Sequence, residues 1–214
     1  MSIAVQKDRI PHAVRSAKMQ RRLSEASFEV IREVGYANFR TSAVSKRAGV
    51  SQGAQLHHYP TKDSLAIAAL EYAYGEARGQ FEENFASSEN CDELLDRILK
   101  DFVDFYISDY FMVALDILMA GGKNEELHKQ LTGMSRKFRE EVERAWLEKL
   151  VDEGWLLTLA EDVLALSHSL VRGFATRALI RNDQAEFDRL LRRWREMVSL
   201  LAGQTTAQPY QSRP

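Results

Sequence analysis

Between Thr41 and Lys62 the chain concentrates side chains that hydrogen-bond without reacting: Thr41, Ser42, Gln52, Gln55, His57, His58 and Lys62. A glutamine amide offers a donor and an acceptor on one rigid plane, which matches the major-groove edge of adenine. Hydroxyl, imidazole and ammonium groups suit phosphate oxygens. Such groups suit hydrogen-bonded binding of a polar or anionic partner better than bond making. Groups that would support catalysis are missing. Cys91 is the single cysteine, no Gly-rich phosphate loop or nucleophile elbow occurs, and the carboxylates are scattered as on solvated helix faces. His57 and His58 are neighbours, so on a helix they point about 100° apart and cannot share a metal ion. Glu125 and His128 form one Glu-x-x-His, the spacing of di-iron bundles, but no second copy exists. No catalytic residue, metal or cofactor is expected.

Charge supports the same chemistry. Residues 1–62 hold 11 Lys or Arg against 4 Asp or Glu, a net +7, whereas residues 63–214 hold 18 against 27, a net −9. A basic end of that size fits one phosphate-contacting module, with a solvated basic tail as the alternative from charge alone, and the acidic remainder would be repelled by a duplex. With 45% hydrophobic residues and only 4 Pro, the chain has the material for a helical core. No run approaches the roughly 18 apolar residues of a membrane span, and the start lacks a secretory pattern, so a cytoplasmic protein is expected.

The elements that must position these groups can be read from caps and periodicity. Residues 1–17 read as a flexible basic arm. Leu23, Ala26, Val30, Ile31 and Val34 then recur at helical spacing until Gly35. Thr41 is placed to cap a short helix ending near Ala48, with Gly49 as its left-handed stop. Ser51 caps a third helix to about His58. Two short helices joined by Gly49 and Val50 form a helix-turn-helix pattern. After Pro60, a longer connecting helix runs from Lys62 to about Phe85. The polar stretch 87–92 reads as a seam, followed by helices near 92–108, 109–120, 124–153, 160–182 and 185–202 and a polar tail over 203–214. The expected architecture is all-α, with about nine helices: a head over 18–62, a connecting helix over 63–86 and a helical domain over 87–202.

Written out, residues 39–65 are FRTSAVSKRAGVSQGAQLHHYPTKDSL. With the preceding Leu23–Asn38 they resemble the TetR family of helix-turn-helix regulators. The likeness rests on Gly35-Tyr36, Thr41, Ala48-Gly49-Val50-Ser51, Gly53, His58, an aromatic at Tyr59, Lys62 and Leu65. The resemblance implies that the helix from Ser51 enters the major groove of operator DNA; the amide chemistry of glutamine makes Gln52 and Gln55 the candidates for base reading, with a solvated helix position as the alternative for Gln55. Thr41, Ser42, Gly53, Ala54, Leu56, His57, His58 and Lys62 complete the expected DNA-contacting set. Ala54 and the pair Gln55-Leu56 depart from the family's frequent Thr and Leu-Tyr. Leu56 thus lacks the hydroxyl a tyrosine would offer to phosphate.

The resemblance also implies a homodimer built on the last two long helices. Their stripe residues Leu166, Leu170, Phe187, Leu191, Trp194 and Val198 are the candidates, with burial inside one chain as the alternative. It further implies a C-terminal pocket for a small hydrophobic or aromatic effector. Phe105, Tyr106, Met112, Leu115, Met119, Phe138, His168, Arg172 and Phe174 are its candidate lining. The function expected is repression released by that effector. An activator, a corepressor-dependent regulator, a ligand-independent architectural DNA binder and a helical enzyme stand as the alternatives.

Overall fold

The computed structural model describes residues 12–86, 94–121 and 124–205, and these are helical with short links. The elements are α1 (His12–Asn38), α2 (Thr41–Ala48), α3 (Gln52–His58), α4 (Lys62–Ala86), α5 (Leu94–Tyr106), α6 (Asp109–Gly121), α7 (Glu125–Asp152), α8 (Leu157–Ala178) and α9 (Gln184–Thr205). The all-α architecture is as expected, and among the described residues there is no strand. No described helix is long and apolar enough to cross a membrane. Residues 1–11 of the expected arm, the seam at 87–92 and the tail beyond Thr205 lie outside the described residues.

The chain divides into two compact units, Met1–Gly75 with Val113–Thr132, and Glu76–Met112 with Gly133–Pro214. In the first, Leu23, Ile31, Phe39, Val44, Leu65 and Leu70 are fully buried, as are Ile117 and Leu131 from the inserted segment. Each such side chain contributes roughly 1.5–3 kcal/mol of transfer free energy. In the second, Ile98, Trp146, Leu150 and Ala160 form the core. Asp101 is buried among them, and accepts from the Trp146 indole at 3.0 Å and from Asn84 at 3.5 Å. Its pKa is raised, chiefly by that burial.

Boundaries differ from expectation where local signals compete. α1 begins at His12 rather than Lys18. Gly35, read as a stop, is a break instead: its φ of 74° and ψ of 157° interrupt the ladder, and one further turn follows before Asn38. Thr41 is the first residue of α2 and not its cap, which is Arg40 in extended backbone without a side-chain bond. Ser51 does cap α3, accepting from the Ala54 amide at 3.2 Å, and Gly49 closes α2 at φ 62°. Thr61 and Ser64 exchange main-chain and hydroxyl bonds at 2.9 and 3.1 Å, which fixes the start of α4.

Candidate nucleic-acid interface

α2 and α3 meet through Val44 and Ala48 and through one polar contact, Ser45 Oγ to Gln55 Oε1 at 3.4 Å. Gln55 also donates from its amide nitrogen to the Tyr59 carbonyl, and it is wholly buried. This corrects the expected base-reading role of Gln55. A seven-residue helix must turn one face inward, and here a glutamine occupies that face because both ends of its amide find partners.

The opposite face of α3 carries Gln52, Gly53, Leu56 and His57, all exposed, with Ala54 and His58 half-buried. Leu56 keeps 47% of its surface in water. A Cβ built on Gly53 meets nothing within 4 Å, so the protein's own packing does not require glycine there. Ser42 is exposed and Thr41 half-buried at the start of α2. Among the described residues no group of three or more potential metal ligands occurs.

The surrounding cations divide into held and available ones. Arg22 donates to the Ala48 carbonyl, and Arg47 pairs with Glu33 and Glu29. Lys62 donates to the Tyr36 carbonyl at 2.9 Å with its ammonium 4.3 Å over the Tyr36 ring. Arg40 and Lys46, by contrast, are exposed and make no side-chain ion pair among the described residues. The sequence reading passed over both, although the local charge excess was the signal that could have found them.

In the second unit, a cavity of about 220 Å³ is lined by Tyr106, Met112, Phe174 and Phe187, with Arg177 and Arg181 among its polar groups. Three of the expected lining residues thus meet there. Phe105 and Phe138 pack against one another at 5.1 Å, and Phe105 meets Tyr106 edge-to-face at 5.0 Å, but neither phenylalanine lines the cavity. His168 bonds the Tyr106 hydroxyl and is buried; desolvation first, then the charges of Arg139 and Arg172, push its pKa down to about 4, so it is neutral. Arg172 is exposed, and Leu115 and Met119 belong to the first unit, Met119 at 75% exposure, so these three do not line this cavity. The cavity arginines are already paired, Arg177 with Glu186 at 2.9 Å and Arg181 with Asp183 at 3.2 Å.

The expected dimer stripe is also corrected in part. Phe187 packs on Phe174 at 4.9 Å and Val198 is fully buried, both within the chain, and Trp194 donates to Ser167 at 2.8 Å. Leu170 and Leu191 are half-buried. Of the expected stripe Leu166 is left in solvent, together with Leu157 on α8 and Met197, Leu200 and Leu201 on α9.

Residues 23–69 match the family described as bacterial regulatory proteins, tetR family. The chain is 35% identical over 178 residues to the HTH-type transcriptional regulator CymR of Pseudomonas putida, spanning 83% of this chain and 88% of that one. Its fold is shared with a solved regulator from Mesorhizobium loti MAFF303099 assigned to the TetR family, at a TM-score of 0.71 and 14% identity, covering 87% of this chain and 98% of that one. It is shared too with the multidrug binding protein EbrR, solved with imidazole, at a TM-score of 0.58 and 18% identity, covering 90% and 97%. At those identities the structures speak for the fold alone, while the regulator from Pseudomonas putida is a relative in sequence along most of its length. The chain belongs to the TetR family of DNA-binding transcriptional regulators.

Proposed function

We propose that the protein is a homodimeric repressor that holds operator DNA through α3 and releases it when a small hydrophobic or aromatic effector enters the second unit. The observation that carries the DNA half is the exposed face Gln52, Gly53, Leu56 and His57 on a short helix whose other face is locked against α2. Gln52 pairs with a base edge, Leu56 offers apolar contact to a thymine methyl, and His57 lies against phosphate. Arg40 and Lys46 neutralise further phosphates, together with Thr41, Ser42 and the first amides of α4.

One seven-residue helix covers little DNA, so two heads on half-sites about 34–36 Å apart supply the affinity. Leu166, Met197, Leu200 and Leu201 furnish the apolar surface for the partner copy. The aromatic cavity around Phe174, whose arginines are already paired, favours an effector with little charge. Effector and operator then oppose each other, each lowering the other's affinity by the same factor, typically 5- to 150-fold. α4, which runs on from the head, is the element expected to shift.

The test is binding to the DNA flanking the protein's own coding region, at fixed salt and beside a scrambled duplex, with a panel of small aromatic and aliphatic compounds added. Preference for one near-palindrome, relieved by a compound whose action Phe174→Arg abolishes, supports the proposal. A protein that binds both duplexes equally, with and without every compound, contradicts it.

A further inference from the structure

Gly35 breaks α1, and the break frees the Tyr36 amide from the helical ladder. That amide donates to Asp116 Oδ2 of α6 at 2.6 Å. The two residues are far apart in sequence but lie in one compact unit, and Asp116 lies outside the family match at residues 23–69. The other polar groups of Tyr36 are also engaged. Its carbonyl accepts from the Phe39 amide at 3.2 Å and from Lys62 at 2.9 Å. Its hydroxyl donates to Asp63 at 3.3 Å, and the second oxygen of Asp63 accepts from Asn124 at 3.2 Å. Tyr36 is 8% exposed and its bonds to Asp116, Lys62 and Asp63 are part-buried, and a charged acceptor on an amide is stronger there than in open solvent.

We propose that Asp116 is a positioning residue for operator recognition, acting through the Tyr36 main chain; this rests on the DNA-binding reading above. Tyr36 opens the last turn of α1, which leads through Phe39 and Arg40 into α2, and α2 fixes α3 through Ser45 and Gln55. The fully buried side chains of the head, Leu23, Ile31, Val44 and Leu65, are apolar and make no hydrogen bond to Asp116. Removing the carboxylate therefore leaves the head folded but lets the link relax, and α3 loses its fixed pitch in the groove. Contacts that need that pitch, those to bases, fail first; phosphate contacts tolerate the change. Asn at this position keeps an acceptor oxygen and the geometry.

The experiment uses the full-length protein and a duplex that the wild type selects from random DNA. Asp116→Ala is expected to lower affinity for that duplex at least about tenfold while binding to a scrambled duplex stays within about twofold. Asp116→Asn should restore affinity for the selected duplex to within about threefold of the wild type. In nitrogen-15 spectra the Tyr36 amide proton should be slow to exchange in the wild type and in Asp116→Asn, and fast in Asp116→Ala. Equal loss on both duplexes, no loss on either, or no rescue by Asn overturns the inference. So does a Tyr36 amide in the wild type that exchanges as an unprotected one, a result that needs no variant to fold. Failure of the wild type to select any duplex counts against the DNA-binding reading, while the amide measurement still judges the bond.

Discussion

Lys62 donates from Nζ to the Tyr36 carbonyl at 2.9 Å and lies 4.3 Å above the Tyr36 ring, so the lysine expected to hold phosphate is holding the protein's own main chain. Lys62→Met should lower the unfolding free energy by about 1–2 kcal/mol, the combined scale of a charged hydrogen bond and a cation–π contact in a half-exposed setting. Urea denaturation measures it. Unchanged stability with lost DNA binding would return Lys62 to the phosphate-contacting set.

The two glutamines of α3 should behave oppositely, although they are three residues apart. Gln52→Ala is expected to leave stability within about 0.5 kcal/mol and to weaken the selected duplex by about 1–3 kcal/mol, roughly 5- to 150-fold. Gln55→Ala removes a buried amide with partners at both ends, and should cost about 2 kcal/mol of stability. Paired thermal melts and anisotropy titrations distinguish them, and a stable Gln55→Ala that binds poorly would contradict the buried assignment.

Gly53 gives a sharper contrast. Alanine meets no atom within 4 Å there and removes the conformational cost of glycine in a helix, so Gly53→Ala should stabilise the protein by about 0.5–1 kcal/mol. If DNA approaches that position closely, the same methyl should weaken operator binding. A variant both more stable and equally tight places DNA elsewhere on α3.

Stability should fall on the acid side through His168. Its folded pKa of about 4 lies below the ordinary 6.5, mainly through burial, so below pH 6.5 the unfolded chain takes up a proton that the folded chain refuses. The stability this residue confers is complete above pH 6.5 and is lost progressively as pH falls towards 4, by up to about 3 kcal/mol. His168→Phe should flatten that part of the stability–pH curve relative to the wild type. An unchanged slope between pH 7 and 4.5 would show that His168 takes up its proton in the fold as readily as in the unfolded chain.

Self-association should depend on α8 and α9. Met197→Asp with Leu201→Asp should give a monomer by sedimentation velocity with unchanged helix content, because both side chains face solvent within the chain. A dimer that survives the pair moves the interface off this face.

The sequence by itself determined the helices of the head and their order, because the signals are local. Gly49 and Ser51 stop one helix and start the next within three residues, and a left-handed glycine and a capping hydroxyl need no distant partner. It also carried the family likeness over Leu23–Leu65. Tertiary structure alone decided which side chains face out. Gln55 is polar and buried because Ser45 and the Tyr59 carbonyl, brought in by packing, satisfy it, whereas Gln52 is exposed. The stripe on α9 marked a buried face without saying what buries it, so Phe187 and Val198 lie inside the chain while Met197 and Leu201 remain in water. The bond from Tyr36 to Asp116 was illegible for the same reason: amphipathic periodicity reports that a face is covered, and only the fold supplies the residue that covers it.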